Sequence, residues 1–221
     1  MKTTRILKEW LQVVLLTLPF ILAAAFWTKF PACVATHWDI HGRPNGWMGK
    51  EMGLLVIPVV NLGIWALFLC LPWLDPKIRS NPSEHEQTVS VLGVWRFAMT
   101  AFLCLMSLLI LAVAAGISVD MNRAVMNGIL VLFLILGNTM GTLRPNYFAG
   151  IRTPWTLNDP EIWRATHRIG GRIMFYGSLL LMLLQFLLNS EQLMTGFLVY
   201  MVGFAVWSMG YSYYLFRKKS C

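Results

Sequence analysis

Apolar residues gather into six stretches, roughly 11–30, 54–74, 97–118, 124–141, 171–189 and 193–215, separated by shorter polar segments. A hydrocarbon core is about 30 Å thick and a helix rises about 1.5 Å per residue, so about 20 apolar residues cross it. Backbone amides find no partners in lipid, so such stretches fold as helices. The pattern predicts an all-α polytopic membrane protein with six transmembrane helices. It divides into an N-terminal three-helix half, 1–118, with an extracytoplasmic loop at 31–51, and a C-terminal half, 119–221, with a cytoplasmic loop at 142–170.

Local signals refine the division. Pro19 and Pro58 fall inside predicted helices and kink them, and Pro72 helps to end the second. Pro44-Asn45-Gly46 marks a turn in the first loop, and Asn81-Pro82-Ser83-Glu84 marks a turn and helix start. A short polar turn near Asp120–Arg123 joins the third and fourth helices. Gly137 and Gly141 form a small-xxx-small pair that admits a close neighbour. A residue before proline avoids the helical region, so Asp159 is expected as an N-cap with Pro160 at the first helical position. The helix that follows places Arg164, Arg168 and Arg172 on one stripe, the pattern of an interfacial amphipathic segment running into the fifth span. Arg-Pro-Asn occurs at 43–45 and again at 144–146. An inverted repeat would place it so, although two unrelated halves are the simpler reading.

Composition agrees with the pattern: hydrophobic residues are 57% of the chain and charged ones 13%, about half the usual soluble share. The net charge of +8 is distributed by side. With six crossings, fourteen Lys and Arg share the side of the termini and four lie opposite, at Lys29, Arg43, Lys50 and Arg123. This asymmetry puts both termini in the cytoplasm. It assigns the basic excess to topology and anionic lipid headgroups rather than to nucleic acid. Lys2, Arg5 and Lys8 before an apolar run ending near Ala23-Ala24-Ala25 imitate a secretory signal, but the run continues through Phe26 and Trp27, so an uncleaved helix is expected. Cys33, Cys70, Cys104 and Cys221 share no oxidising compartment, and no intramolecular disulfide is expected.

Candidate chemistry is sparse. His37, Asp39 and His41 alternate and would point one way in an extended loop, the one grouping with metal-ligand character, but no fourth ligand is evident and no metal is assigned. His167 sits among Arg164, Arg168 and Arg172, whose charges would keep it neutral; a helix-surface histidine at the membrane boundary is the expectation. No nucleophile elbow or phosphate-cradling loop is present, so the chain reads as a non-enzyme without cofactors. The span interiors carry no ionisable residue, which disfavours proton-coupled transport; Asn61, Asn138 and Gln185 leave a small-solute channel or uniporter as the alternative. Residues 144–172 hold five arginines with Tyr147, Phe148, Trp155 and Trp163, a composition equally suited to a headgroup-bound loop and to a docking surface.

One further pattern carries a resemblance. Gly137-Asn138, the run Arg144-Pro145-Asn146-Tyr147-Phe148-Ala149-Gly150-Ile151-Arg152-Thr153-Pro154-Trp155-Thr156-Leu157, then Trp163, His167-Arg168 and Gly170-Gly171 resemble the SdpI-type family. Pro31, His37-Trp38, Gly42, Pro44, Trp47 and Lys50 resemble the domain of unknown function often fused before it. The family comprises bacterial membrane proteins related to the immunity protein against the sporulation-delaying killing peptide. The resemblance implies a multi-pass protein of the bacterial cytoplasmic (inner) membrane that protects against a secreted toxic peptide and holds a cytoplasmic transcriptional repressor. Outward residues His37, Asp39, His41 and Trp47 would then sense the peptide. Inward residues Asn146, Gly150, Arg152, Thr153, Trp155 and Trp163 would form a docking or switch loop.

Overall fold

The computed structural model describes residues 2–83 and 85–220. The turn residue Glu84 and the fourth cysteine, Cys221, lie outside the described residues. In chain order the elements are α1 (Lys2–Ala25), a 3-10 turn at Trp27–Lys29, β1 (Cys33–Trp38), β2 (Pro44–Gly49), α2 (Lys50–Leu74), α3 (Pro76–Ser80), α4 (Glu86–Ala114), α5 (Met121–Met140), α6 (Pro154–Asn158), α7 (Pro160–Leu184) and α8 (Ser190–Ser220). The chain is mostly helical but not all-α, because the loop expected at 31–51 folds as an antiparallel hairpin.

Among the described residues four helices, α2, α4, α5 and α8, are long and apolar enough to cross a membrane. The apolar part of α1, Glu9–Ala25, is shorter. α7 spends its first half on Glu161, Arg164, Arg168 and Arg172 before its apolar run begins. α4 starts about ten residues before the predicted span, which brings Arg96 into the helix, where it is buried.

The chain forms two compact units. One comprises residues 1–67 and 96–129, the other 68–95 and 130–221. The first has a core of Ala23, Phe30, Val34, Leu54, Ile110 and Leu111, so one face of β1 is packed against helices. The second is centred on Leu71, Leu92, Trp95, Met140, Leu143, Ile151 and Trp163.

Within the second unit, α5 and α7 touch through glycine. A Cβ on Gly137 would lie 2.7 Å from the Phe175 nitrogen and 2.8 Å from the Gly171 oxygen, and one on Gly171 would lie 2.6 Å from the Gly137 oxygen. The small-xxx-small expectation holds, since only glycine permits backbones this close. Gly137→Leu should force the helices apart at a cost of about 3 kcal/mol. A thermal melt in detergent should show the midpoint lowered by about 6–12 °C. An unchanged midpoint would mean that the helices do not pack through this contact.

Candidate functional site

The segment between α5 and α7 is short of regular structure yet deeply packed, and side chains rather than a backbone ladder hold it. It begins where the Leu143 carbonyl accepts the Trp163 indole N–H at 2.9 Å and the Arg144 N–H donates to Thr88 Oγ1 at 2.9 Å. The Asn146 side chain then closes an Asx turn: its Oδ1 accepts the N–H groups of Phe148 (3.0 Å) and Ala149 (2.7 Å), and its Nδ2 donates to the Arg144 carbonyl. Such local bonds let asparagine replace a missing helix or strand.

The centre of the site is Gly150 against His167. Gly150 has φ +110°, a region that favours glycine, and a Cβ there would overlap His167 Nε2. The next residue uses the space so left: the Ile151 N–H donates to His167 Nε2 at 2.8 Å. Nε2 therefore carries no proton, and Nδ1 donates to the Trp163 carbonyl at 2.9 Å. The imidazole is fully buried and stacks on Trp163 with ring centroids 3.9 Å apart. Burial pushes its pKa down to about 4, against the smaller upward pull of the Trp163 carbonyl. The expected neutrality is found, but its cause is corrected. His167 is an interior residue, and Arg164, Arg168 and Arg172 lie exposed on the opposite stripe.

The far end is sealed by α6. Thr153 is its N-cap: its Oγ1 accepts the Thr156 N–H at 3.2 Å, while Thr156 Oγ1 accepts the Thr153 N–H and donates to the Ile151 carbonyl at 2.9 Å. Thr153 Oγ1 also meets Ser212 Oγ of α8 at 3.0 Å, and Trp155 lies half-buried with its ring 5.2 Å from that of Tyr213. Asp159 caps α7 as expected, with Pro160 at the first position. Lys219 reaches Asp159 Oδ2 at 2.7 Å and Glu161 Oε2 at 2.8 Å. The Lys219 ammonium, aided by the Glu161 and Ile162 N–H groups, holds the Asp159 carboxyl below the usual range.

Several residues that sequence reasoning passed over complete the site. The fully buried Asp75 caps α3 through the Lys77 and Ile78 N–H groups and accepts the Tyr147 N–H at 2.6 Å through its other oxygen. Lys77 Nζ donates to the Leu157 carbonyl at 3.0 Å and lies 4.6 Å over the Tyr147 ring. The ring nitrogens of His85 face the carbonyls of Asn81 (3.0 Å) and Pro145 (3.2 Å). A signal was present: Asp75-Pro76 repeats the cap-and-proline pair of Asp159-Pro160. Thus Asn146, Thr153 and Trp163 point inward as packing residues. Arg152 is exposed, and its guanidinium Nη1 ties back to the Tyr147 carbonyl at 2.8 Å. Tyr147 and Phe148 are exposed beside it.

The other sequence candidates lie on the hairpin. Cys33 pairs with Gly49 and Ala35 with Trp47, with irregular register on either side of His37. His37 Nδ1 meets Asn45 Oδ1 across the strands. Asp39 Oδ1 accepts the N–H groups of His41 (2.8 Å) and Arg43 (2.9 Å), and the Arg43 N–H is the main cause that holds its carboxyl below the usual range. Asn122 Nδ2 donates to the Asp39 and Ile40 carbonyls at 3.1 and 2.9 Å. Asp39 is a turn former, and among the described residues no three His, Cys, Asp or Glu side chains gather to hold a metal ion. Trp47 stands exposed on β2.

Long apolar helices with a polar-locked connection define a multi-pass helical membrane protein. Its C-terminal part, residues 142–212, matches the SdpI/YfhL protein family, and residues 14–62 match a domain of unknown function, DUF1648. The chain is 23% identical over 179 residues to the Immunity protein SdpI of Bacillus subtilis (strain 168), covering 81% of this chain and 82% of that one. Both resemblances read from the sequence are thereby borne out. No solved structure matches the chain.

Proposed function

We propose that this chain is a non-enzymatic immunity protein of the bacterial cytoplasmic membrane that protects its host against a secreted, membrane-active killing peptide. In this reading α1, α2, α4, α5, the apolar half of α7 and α8 cross the bilayer, and both termini lie inside. The fourteen-to-four distribution of basic residues supports that orientation. The hairpin, with Trp47 and His37 exposed, then faces the peptide, and lipid headgroups take the Arg164, Arg168 and Arg172 stripe.

One observation carries the reading. The segment that resembles the immunity family, residues 142–212, begins with a loop held in one conformation by buried bonds, while Tyr147, Phe148 and Arg152 are left on its surface. Fixing a loop costs about 1–2 kcal/mol per residue in backbone entropy. A loop held at that cost, with aromatic and arginine side chains outward, suits contact with a cytoplasmic partner such as a transcriptional repressor.

The test is survival of a peptide-sensitive bacterium carrying this chain or an empty vector, under challenge with membrane-active killing peptides. The chain should raise survival at least tenfold for one of them. Equal survival with membrane expression confirmed would set the immunity reading aside and turn attention to solute flux in proteoliposomes.

A further inference from the structure

A second polar cluster lies in the unit formed by residues 1–67 and 96–129. Glu9 and Gln12 on α1, Asn61 and Trp65 on α2, and Arg96 and Thr100 on α4 meet there. Arg96 donates through Nη2 to both Glu9 oxygens at 2.7 and 3.0 Å, and its guanidinium lies 5.8 Å from the Trp65 ring centre. The Trp65 indole N–H donates to Gln12 Oε1 at 3.0 Å, and Asn61 Nδ2 donates to the Thr100 carbonyl at 3.2 Å. Asn61 and Thr100 each fall near the middle of a helix long and apolar enough to cross a membrane. They are 1% and 0% exposed.

Three polar atoms of this cluster have no partner among the described residues: Arg96 Nε, Thr100 Oγ1 and Asn61 Oδ1. In hydrocarbon an unpaired donor or acceptor is more costly than in water, and buried polar groups are almost always paired. The three have complementary chemistry. The Nε–H is a donor, the asparagine oxygen an acceptor, and the hydroxyl both. Among the described side chains Glu9 balances the Arg96 guanidinium, which leaves no excess positive charge to hold an anion. Two neutral oxygens beside an arginine make a poor cation site. A small neutral molecule that donates and accepts is what remains. Arg96 and Thr100 are four residues apart on α4, so their side chains share one face of that helix.

We infer that this cluster binds water: one molecule bridges Arg96 Nε and Thr100 Oγ1, and hydration extends to Asn61 Oδ1. The N-terminal unit thereby has a hydrated polar column, running from Glu9 to the middle of α2 and α4.

Thr100→Val keeps the shape and removes the hydroxyl, so the sign of its effect on stability discriminates. If water is held, the substitution strips it of a partner and exposes the Arg96 donor, and the melting midpoint of the full chain in lipid nanodiscs should fall by about 2–4 °C. If the hydroxyl has no partner, its removal is neutral or stabilising. The companion measurement is magnetisation transfer from water to the Asn61 side-chain amide, in nanodiscs of deuterated lipid. A cross-peak in the wild type, lost in Thr100→Val together with the fall in midpoint, would support the site. Absence of the cross-peak in the wild type, or a midpoint that stays or rises in Thr100→Val, would overturn it.

Discussion

Gly150→Val should release the loop that the rest of the second unit is built to hold. A β-branched residue at φ +110° carries strain of about 1–3 kcal/mol. Its Cβ also occupies the space of His167 Nε2, so the Ile151 N–H loses its acceptor. An unsatisfied buried donor adds about 1–3 kcal/mol. Together these come to about 4 kcal/mol, or roughly a thousandfold in the opening equilibrium of the loop. Hydrogen exchange at the Ile151 amide reads this directly, with protection in the variant falling by about that factor. Wild-type protection in Gly150→Val would mean that the Gly150–His167 contact does not hold the loop. Gly150→Ala should lie between the two, since it brings the same Cβ without the branches.

The second large effect is a pH dependence with a definite sign. Folded His167 titrates at about 4, below its ordinary value of 6.5, because burial outweighs the upward pull of the Trp163 carbonyl. Once the loop opens, the ring regains its ordinary affinity for a proton. Between pH 6.5 and pH 4 the open form binds a proton that the closed form refuses, so closure weakens as pH falls. Above pH 6.5 the contribution is complete, and below pH 4 both forms are protonated and no further loss occurs. The span of the shift corresponds to about 3 kcal/mol. Exchange protection at Ile151, corrected for intrinsic rate, should therefore drop by about two orders of magnitude across that window. His167→Gln, which has no proton to gain, should show little of this dependence. A flat wild-type profile, or one in which closure strengthens toward acid, would contradict the burial and the tautomer described.

What the sequence revealed divides along physical lines. Long apolar runs announce themselves by length alone, which is why α2, α4, α5 and α8 were legible. So were the Asp159 cap and the Gly137 contact, because each rests on neighbours in sequence or on the smallness of one side chain. The hairpin was not legible. β2 reads Pro-Asn-Gly-Trp-Met-Gly, with none of the alternation of a half-buried strand. It pairs because β1 presents it an edge and Asn122, far along the chain, fixes the turn. The interior position of His167 was hidden for a similar reason. Its arginine neighbours occupy the outward stripe of α7, and only the three-dimensional path of residues 144–151 shows that the inward stripe is roofed over. Asp75, His85 and Thr88 serve a loop some sixty to seventy residues downstream, a relation that no local pattern records. The candidate loop was therefore visible as a concentration of unusual residues, while the division between those that pack and those that face outward was not.

That division gives Arg152 a distinct place. It is exposed, yet its guanidinium closes the turn by bonding to the Tyr147 carbonyl, so it belongs to both the lock and the outward face. If protection is exercised through this loop, removing the guanidinium should disable it without disturbing the buried core. The measurement to make is survival under peptide challenge of cells carrying the wild-type chain beside Arg152→Ala, at matched amounts in the membrane. Wild-type cells should survive, and Arg152→Ala cells should die as empty-vector cells do. Equal survival of the two would show that protection does not pass through the loop.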